Sequence, residues 1–296
     1  MSTCTVVVPT RDRPVLLRDA VDSALGQTAA DTRVLVVDDG SRDPVELPAH
    51  PRLRVVRHLR PRGVSAARNL GISLAGTELV TFLDDDDRMR PQLVQRSLEV
   101  IAAADAPVPV AALSGVAVLG RDGQQVDVRM PPDLCPRGAH FSLEPVQPGR
   151  SYFGKQTLVV PRAVLLAIGG FDETFRSRVV TELFWRLNPV CSIVGIPEVT
   201  YELRAHEGPR ISTDRRLRQR SFRQLVATHG ELLRAHPEGY ADLLAQHART
   251  SVRSGQPLAA LTATARHARL DPRRTTGGLR DALRRAPASG GDSATP

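Results

Sequence analysis

The chain has 296 residues, of which 41% are hydrophobic, and a formal net charge of +8 at pH 7. This length suits one large α/β domain with a C-terminal appendage, and no run of about 18 apolar residues predicts a membrane span. The N-terminus lacks a secretory pattern and the three cysteines lack zinc-site spacing, so we expect a cytoplasmic protein without a zinc finger.

Short apolar segments alternate with helical segments in the first third of the chain. Strands are predicted at 5–9, 33–37, 53–57 and 79–83, and helices at 14–27, 65–75 and 91–104. Ser65 is the predicted N-cap of its helix. Such alternation predicts an α/β fold with a Rossmann-like, mainly parallel sheet that helices flank.

The periodicity weakens after residue 106, where glycine and proline are more frequent. Further strands are predicted at 110–119 and 158–160, and helices at 162–168, 180–187 and, with breaks at prolines, from 216 onward. We predict a domain over residues 1–210 with halves 1–105 and 106–210. A helical, arginine-rich C-terminal extension over 211–286 and a disordered tail over 287–296 would follow.

Two acidic clusters come directly after predicted strands. Asp38 and Asp39 follow the second strand, and an unbroken run from Asp84 to Asp87 follows the fourth. Ligands of parallel α/β sheets bind at the carboxyl ends of the strands. Four adjacent carboxylates repel one another, and a hard divalent cation such as Mg²⁺ or Mn²⁺ with oxygen ligands would relieve that repulsion. A solvated acidic turn is the alternative interpretation.

Five motifs occur in order between residues 6 and 87. They are VVVPTRDRP at 6–14, SALGQT at 23–28, VVDDGS at 36–41, GVSAARNLG at 63–71 and FLDDDD at 82–87. Weaker segments follow, GGFDE at 169–173 and YELRAH at 201–206. Together they resemble the family 2 glycosyltransferases, which have the GT-A fold and invert configuration. One departure is the Arg-Asp pair at 11–12, where that family usually has Tyr-Asn.

The resemblance implies a sugar transfer from a nucleotide diphosphate donor, with a UDP-sugar favoured, to a hydroxyl acceptor. Asp86 would bind a divalent metal, Mn²⁺ or Mg²⁺, beside Asp87, and His206 would reach the metal or the diphosphate. The residues implied in donor binding are Pro9, Thr10, Arg13, Asp39, Arg68, Asp84 and Asp85.

The catalytic base is predicted at Glu182. The acidic pair that the family usually has before an LWxRL-like helix falls here on two valines, at 179–180, and Glu182 is the nearest carboxylate. The Asp-Glu pair at 172–173 is an alternative. Glu182 also has the i,i+4 spacing that favours a helix ion pair with Arg186.

Partners other than the donor are left open by the sequence. The acceptor could be a polysaccharide, a lipid carrier, a protein or a natural product. All net positive charge lies after residue 210, which permits peripheral contact with anionic lipid. Alternative functions are a sugar-nucleotide nucleotidyltransferase, disfavoured because no glycine-rich loop follows the first strand, and a basic nucleic-acid-binding protein. Nucleic acid is disfavoured because aromatic residues make up only 4% of the chain.

Overall fold

The structure is a computed structural model that describes residues 3–205 and 214–272. The chain divides into two compact units, Met1–Leu225 and Val226–Pro296. The domain boundary at residue 210 stays a prediction. Both His206 and the tail over 287–296, predicted to be disordered, lie outside the described residues.

Four parallel strands form one side of the sheet in the first unit. In the order β3-β2-β1-β4 they are Leu53–Arg57, Arg33–Asp38, Cys4–Thr10 and Leu79–Phe82. The register pairs Thr10 with Asp38 at the carboxyl ends of β1 and β2. The strand ends therefore align at one edge, as expected for an α/β sheet, and the acidic segments leave the sheet there.

The other side of the sheet mixes strand directions. Its strands are β5 (Arg88–Met89), β6 (Val110–Leu119), β7 (Gln125–Arg129), β8 (Leu134–Cys135), β9 (Val159–Pro161) and β10 (Ser192–Arg204). Strand β9 runs antiparallel to both β4 and β6, whereas β10 runs parallel to β6. Strand β10 was not predicted, because Gly195, Pro197 and Glu198 interrupt its apolar pattern, and the register shifts at that point.

The described residues form helices in both units. Those of the first unit flank this sheet. In chain order the helices are α1 (Pro14–Leu25), α2 (Val64–Leu74), α3 (Leu93–Ala103), α4 (Arg162–Ala167), α5 (Val179–Leu187), α6 (Arg215–Thr228), α7 (Gly230–Ala235), α8 (Pro237–Arg253) and α9 (Pro257–Leu270). The prolines at 237 and 257 begin helices, where the missing N–H costs nothing.

The predicted N-cap of α2 is wrong. Gly63 caps the helix with φ of 103°, a left-handed value that glycine adopts without a Cβ clash. Ser65 lies inside the first turn instead, where it is buried and its hydroxyl has no hydrogen-bond partner. A serine before a helical segment was therefore a misleading signal, since the glycine two residues earlier sets the boundary.

Helices α1 and α2 cover different faces of β1. The buried side chains of α1 follow helical spacing and share a core with Val6 and Val8; they are Leu17, Ala20, Val21 and Ala24. Val7 points the other way, and the absent side chain of Gly71 in α2 leaves room for it. The first strand is thus buried on both sides, which fixes the position of Thr10 at its end.

The described part of the second unit, residues 226–272, is helical. Helices α8 and α9 pack together, and their small buried residues include Ala241, Ala248, Ala260 and Ala263. None of the helices in the described ranges combines the length and the apolar composition that a membrane span requires.

Candidate functional site

Asp39, directly after β2, is held by the segment that leads into α2. Its carboxylate accepts hydrogen bonds from the backbone N–H groups of Arg62 (2.9 Å) and Gly63 (2.7 Å). The Nδ1 atom of His58 lies 2.8 Å from the same carboxylate. Because these contacts come from backbone and a buried ring, the carboxylate is rigidly placed at the edge of the sheet.

Asp85 joins the ends of β1 and β4. The Thr10 hydroxyl donates a hydrogen bond to Asp85 (2.7 Å), and Arg13 donates hydrogen bonds to both Asp85 (2.9 Å) and Asp86 (3.0 Å). Pro9 precedes Thr10 in β1 and is buried. Burial raises the pKa of Asp85, although Thr10 and Arg13 oppose this effect. Residues predicted separately as donor ligands therefore lie together in one network.

Asp84 lies against the buried guanidinium of Arg68. The Nη2 atom of Arg68, in α2, forms an ion pair with Asp84 Oδ1. The same guanidinium lies 5.2 Å from the ring centroid of Phe171 and 6.0 Å from that of Phe82. Aromatic faces favour a cation at this distance, so Arg68 is fixed between the rings and the aspartate.

Asp87 is tied to the last strand of the sheet. It accepts hydrogen bonds from the Tyr201 hydroxyl (2.9 Å) and the Arg204 backbone N–H (3.0 Å), both from β10. Burial, together with the charges of Asp84 and Asp86, raises the pKa of Asp87 well above its usual range. Tyr201 was not predicted as a site residue, because β10 itself was not predicted.

The aspartate run supplies a set of oxygen ligands suited to a hard cation. One carboxylate oxygen from each of Asp84, Asp86 and Asp87 lies within 4.8 Å of the others. Such a convergence of like charges is costly, and the charges of Asp84 and Asp86 add to the effect of burial in raising the pKa of Asp87. Mg²⁺ and Mn²⁺ prefer oxygen ligands of this kind, so the residues present fit a divalent metal.

A pocket opens beside these aspartates. Arg68 and Asp84 line it, together with Phe171, Val180 and Lys155. Neither Lys155 nor Phe171 was predicted as a site residue. Lys155 is the only lysine of the chain, but this fact alone does not indicate a function for it.

Glu182 is buried in α5 and does not line this pocket. It forms an ion pair with Arg186, with Nε–Oε1 and Nη2–Oε2 distances of 2.6 Å and 2.5 Å, so the helix pair expected from the sequence is present. At positions 172–173, the Asp172 carboxylate accepts hydrogen bonds from Thr174, and Glu173 pairs with Arg62. None of these contacts tests which carboxylate is the base, and the role of Glu182 stays a prediction.

Residues 5–125 match the family model described as glycosyl transferase family 2. A pre-mycofactocin glycosyltransferase from Mycobacterium tuberculosis is 34% identical over 193 residues, which cover 62% of this chain and 38% of that relative. The succinoglycan biosynthesis protein ExoO from Rhizobium meliloti is 40% identical over 106 residues, covering 34% of this chain and 30% of that protein. The chain thus spans well under two thirds of both relatives.

Solved structures share the fold at low sequence identity. S. aureus TarS 1-349 in complex with UDP-GlcNAc has a TM-score of 0.66 at 17% identity, covering 93% of this chain and 83% of that chain. The same TarS segment in complex with UDP has a TM-score of 0.54 at 15% identity. The predicted GT-A-like fold, a mainly parallel sheet flanked by helices with a helical C-terminal region, is confirmed.

Proposed function

We propose that the chain is an inverting glycosyltransferase, because residues 5–125 match the family model described as glycosyl transferase family 2. It takes a sugar from a nucleotide diphosphate donor, with a UDP-sugar favoured, and transfers it to a hydroxyl group. The observation that carries the proposal is the convergence of the Asp84, Asp86 and Asp87 carboxylates at the edge of the sheet where Asp39 also lies. The family match favours this function over a nucleotidyltransferase or a nucleic-acid-binding protein.

The donor nucleotide binds, in this proposal, along the carboxyl ends of β1, β2 and β4. Asp39 recognises the base and ribose from its position after β2, with Pro9 and Thr10 at the end of β1. Arg13, Arg68, Asp84 and Asp85 complete the donor site through the network described above. The UDP-GlcNAc and UDP complexes of TarS support a uridine nucleotide.

Asp86 is the proposed metal ligand, with Asp84 and Asp87 beside it. His206, outside the described residues, is a further proposed ligand. A bound Mg²⁺ or Mn²⁺ would neutralise charge on the diphosphate leaving group. Arg13 and Arg68 form ion pairs with Asp86 and Asp84. In this proposal the two guanidinium groups also offset the negative charge of the donor phosphates.

Glu182 remains the proposed base, which takes a proton from the acceptor hydroxyl. The position of Glu182 in α5 supports this proposal, because Val180 and Leu183 of the same helix both line the pocket. The ion pair with Arg186 holds the carboxylate in a fixed orientation. In this proposal one hydrogen bond from Arg186 is exchanged for the acceptor hydroxyl.

Transfer of labelled sugar tests the proposed function and identifies the class of acceptor. The protein is incubated with UDP-[¹⁴C]GlcNAc or UDP-[¹⁴C]glucose, Mn²⁺ and a source-cell lysate separated into lipid, polymer, protein and small-molecule fractions. We expect label in one fraction, dependent on metal and abolished in Asp86→Ala, while Asp105→Ala, which changes an exposed aspartate, stays active. Folded protein that neither transfers label nor releases UDP from any UDP-sugar would contradict the proposal. Cytoplasmic location and membrane contact through the basic tail stay predictions.

A further inference from the structure

His58 is a buried side chain in an otherwise exposed stretch of the chain. It directly follows β3, and it is 9% exposed, whereas every other residue of the segment 57–62 is exposed. A buried polar side chain in such a segment is informative, because polar residues ordinarily face water. The Nδ1 atom of His58 lies 2.8 Å from Oδ1 of Asp39, a residue of the proposed donor site. The ring is therefore turned inward onto this carboxylate.

The position of His58 is set by the sheet. Strand β3 pairs in parallel with β2, and the register places Arg57 opposite Asp38. The backbone N–H of His58 donates a hydrogen bond to the Asp38 carbonyl oxygen at 2.9 Å, which extends this pairing by one residue. His58 and Asp39 are thus the residues that directly follow two paired strands, and the sheet holds them side by side.

The three hydrogen bonds to the Asp39 carboxylate have two different origins. Two come from the backbone N–H groups of Arg62 and Gly63, in the segment that leads into α2. The third comes from His58, which among the described residues is the one side chain that hydrogen-bonds to this carboxylate. His58 therefore joins Asp39 to the sheet, whereas the other two donors join it to a loop whose residues 59–62 are exposed.

The pattern of these hydrogen bonds leaves one acceptor position open. An ionised carboxylate accepts hydrogen bonds and does not donate them, so Nδ1 of His58 carries the proton. The Oδ1 atom of Asp39 accepts from His58 and Arg62, and its Oδ2 atom accepts from Gly63 alone. A carboxylate has about four acceptor positions, so the remaining one is on Oδ2. The Nε2 atom of His58 is buried and has no hydrogen-bond partner among the described residues, so no competing contact draws the ring away from Asp39.

We propose that His58 is a positioning residue for the donor nucleotide, which orients the Asp39 carboxylate so that Oδ2 accepts a hydrogen bond from the base or ribose. This inference rests on the proposed function, in which Asp39 recognises that part of the donor. A carboxylate that is already held on both oxygens loses little freedom when the nucleotide binds. Without His58, both remaining donors belong to the exposed loop, and the nucleotide must order the carboxylate as well as bind it.

Variants of His58 test this role through calorimetric binding of UDP in Mn²⁺. His58→Leu removes the donor and should weaken UDP binding about tenfold, as loss of a hydrogen bond to a charged group does. His58→Asn should restore most of the affinity, because its amide nitrogen takes the place of Nδ1. Arg54→Leu, which changes an exposed residue of β3, is the control and should bind UDP like wild type. In an Asp39→Asn background, His58→Leu should add little, because His58 acts through that carboxylate.

NMR of ¹⁵N-labelled wild-type protein gives a second readout, which does not require the leucine variant to fold. The imidazole signals of His58 are assigned by their absence from the spectrum of His58→Asn. We expect a proton on Nδ1, both before and after UDP is added, because this nitrogen donates to Asp39. A ring that carries its proton on Nε2 alone would overturn the proposal, since it could not make that hydrogen bond.

The binding results separate the role of His58 from the proposed function. Wild-type affinity in His58→Leu, equal losses in His58→Leu and His58→Asn, or losses that add fully to that of Asp39→Asn would each overturn the positioning role. All three leave the proposed function standing, because wild-type protein still binds UDP. Folded wild-type protein that binds no nucleotide in Mn²⁺ would instead contradict the proposed function itself.

Discussion

Glu182 and Arg186 form a buried, two-point ion pair one helical turn apart in α5. The same guanidinium donates to the carbonyl oxygens of Ile168 (2.7 Å) and Gly170 (2.8 Å). Arg186 therefore joins the proposed base to the turn that follows α4. This turn leads to Phe171, which packs against Arg68, so one arginine links α5 to the aspartate site.

Glu182→Gln tests the proposed base. Glutamine preserves the shape of the side chain and one acceptor for Arg186 but cannot take a proton. Sugar transfer should fall about 100-fold or more, the range that general-base catalysis contributes, while UDP affinity stays unchanged. Transfer rates and calorimetric UDP binding are compared with wild type. Full transfer activity in this variant would place the base elsewhere, and the Asp-Glu pair at 172–173 would be tested next.

Arg186→Met tests the structural half of the same pair. The variant leaves the Glu182 carboxylate, 2% exposed, without its counter-charge and removes the donor of two carbonyl oxygens. The free energy of unfolding should fall by about 3 kcal/mol, as when one partner of a buried pair is removed. Denaturant unfolding measures the change, with Arg18→Met, an exposed arginine of α1, as the control. Equal stabilities of the two variants would show that the pair contributes little.

Gly71→Ala tests the close approach of α2 to β1. A Cβ at Gly71 would lie 2.3 Å from Cγ1 of the buried Val7, so either the helix or the strand must move. Overpacking of this kind costs about 1–3 kcal/mol of stability. Gly76→Ala is the matched control, because a Cβ there meets nothing within 4 Å. Urea unfolding should separate the two variants, and coinciding curves would refute the packing argument.

The pH dependence of stability tests the environment of Lys155. Its folded pKa of about 7 lies below the usual value of 10.5, so above pH 7 the unfolded chain binds the extra proton. Stability should therefore rise with pH between about 7 and 10.5, by up to about 1.4 kcal/mol per pH unit from this group. Lys155→Met should remove this contribution. The measurement is the difference in unfolding free energy between wild type and variant across that range; a constant difference would show an ordinary lysine.

The first half of the domain, residues 1–105, was predictable because its signals are local. The strands there are short apolar segments that alternate with helical segments. Strands β1, β2, β3 and β4 therefore lie within a few residues of their predicted positions. Parallel pairing brings the carboxyl ends of β1 and β2 to the same edge of the sheet, where Thr10 pairs with Asp38. The order of strands and motifs therefore predicted both the parallel sheet and the grouping of the aspartates that follow β2 and β4.

The remaining features depend on contacts between distant residues, which no local pattern encodes. The interrupted apolar pattern of β10 hid Tyr201 and its hydrogen bond to Asp87 across the sheet. Arg13 and Asp85 were predicted as separate ligands, and only the fold makes them partners. Lys155 enters the pocket because β9 pairs with β4, a pairing that brings the chain before β9 beside the aspartates.

Calorimetric binding of UDP, with GDP and dTDP for comparison, in Mn²⁺ and in EDTA is the most direct test of the proposed donor site. We expect UDP binding that requires the metal, is lost in Asp86→Ala and is unchanged in Asp105→Ala. Failure of folded wild-type protein to bind any of the three nucleotides in Mn²⁺, or equal binding by Asp86→Ala, would contradict a metal-dependent donor site at the aspartate run.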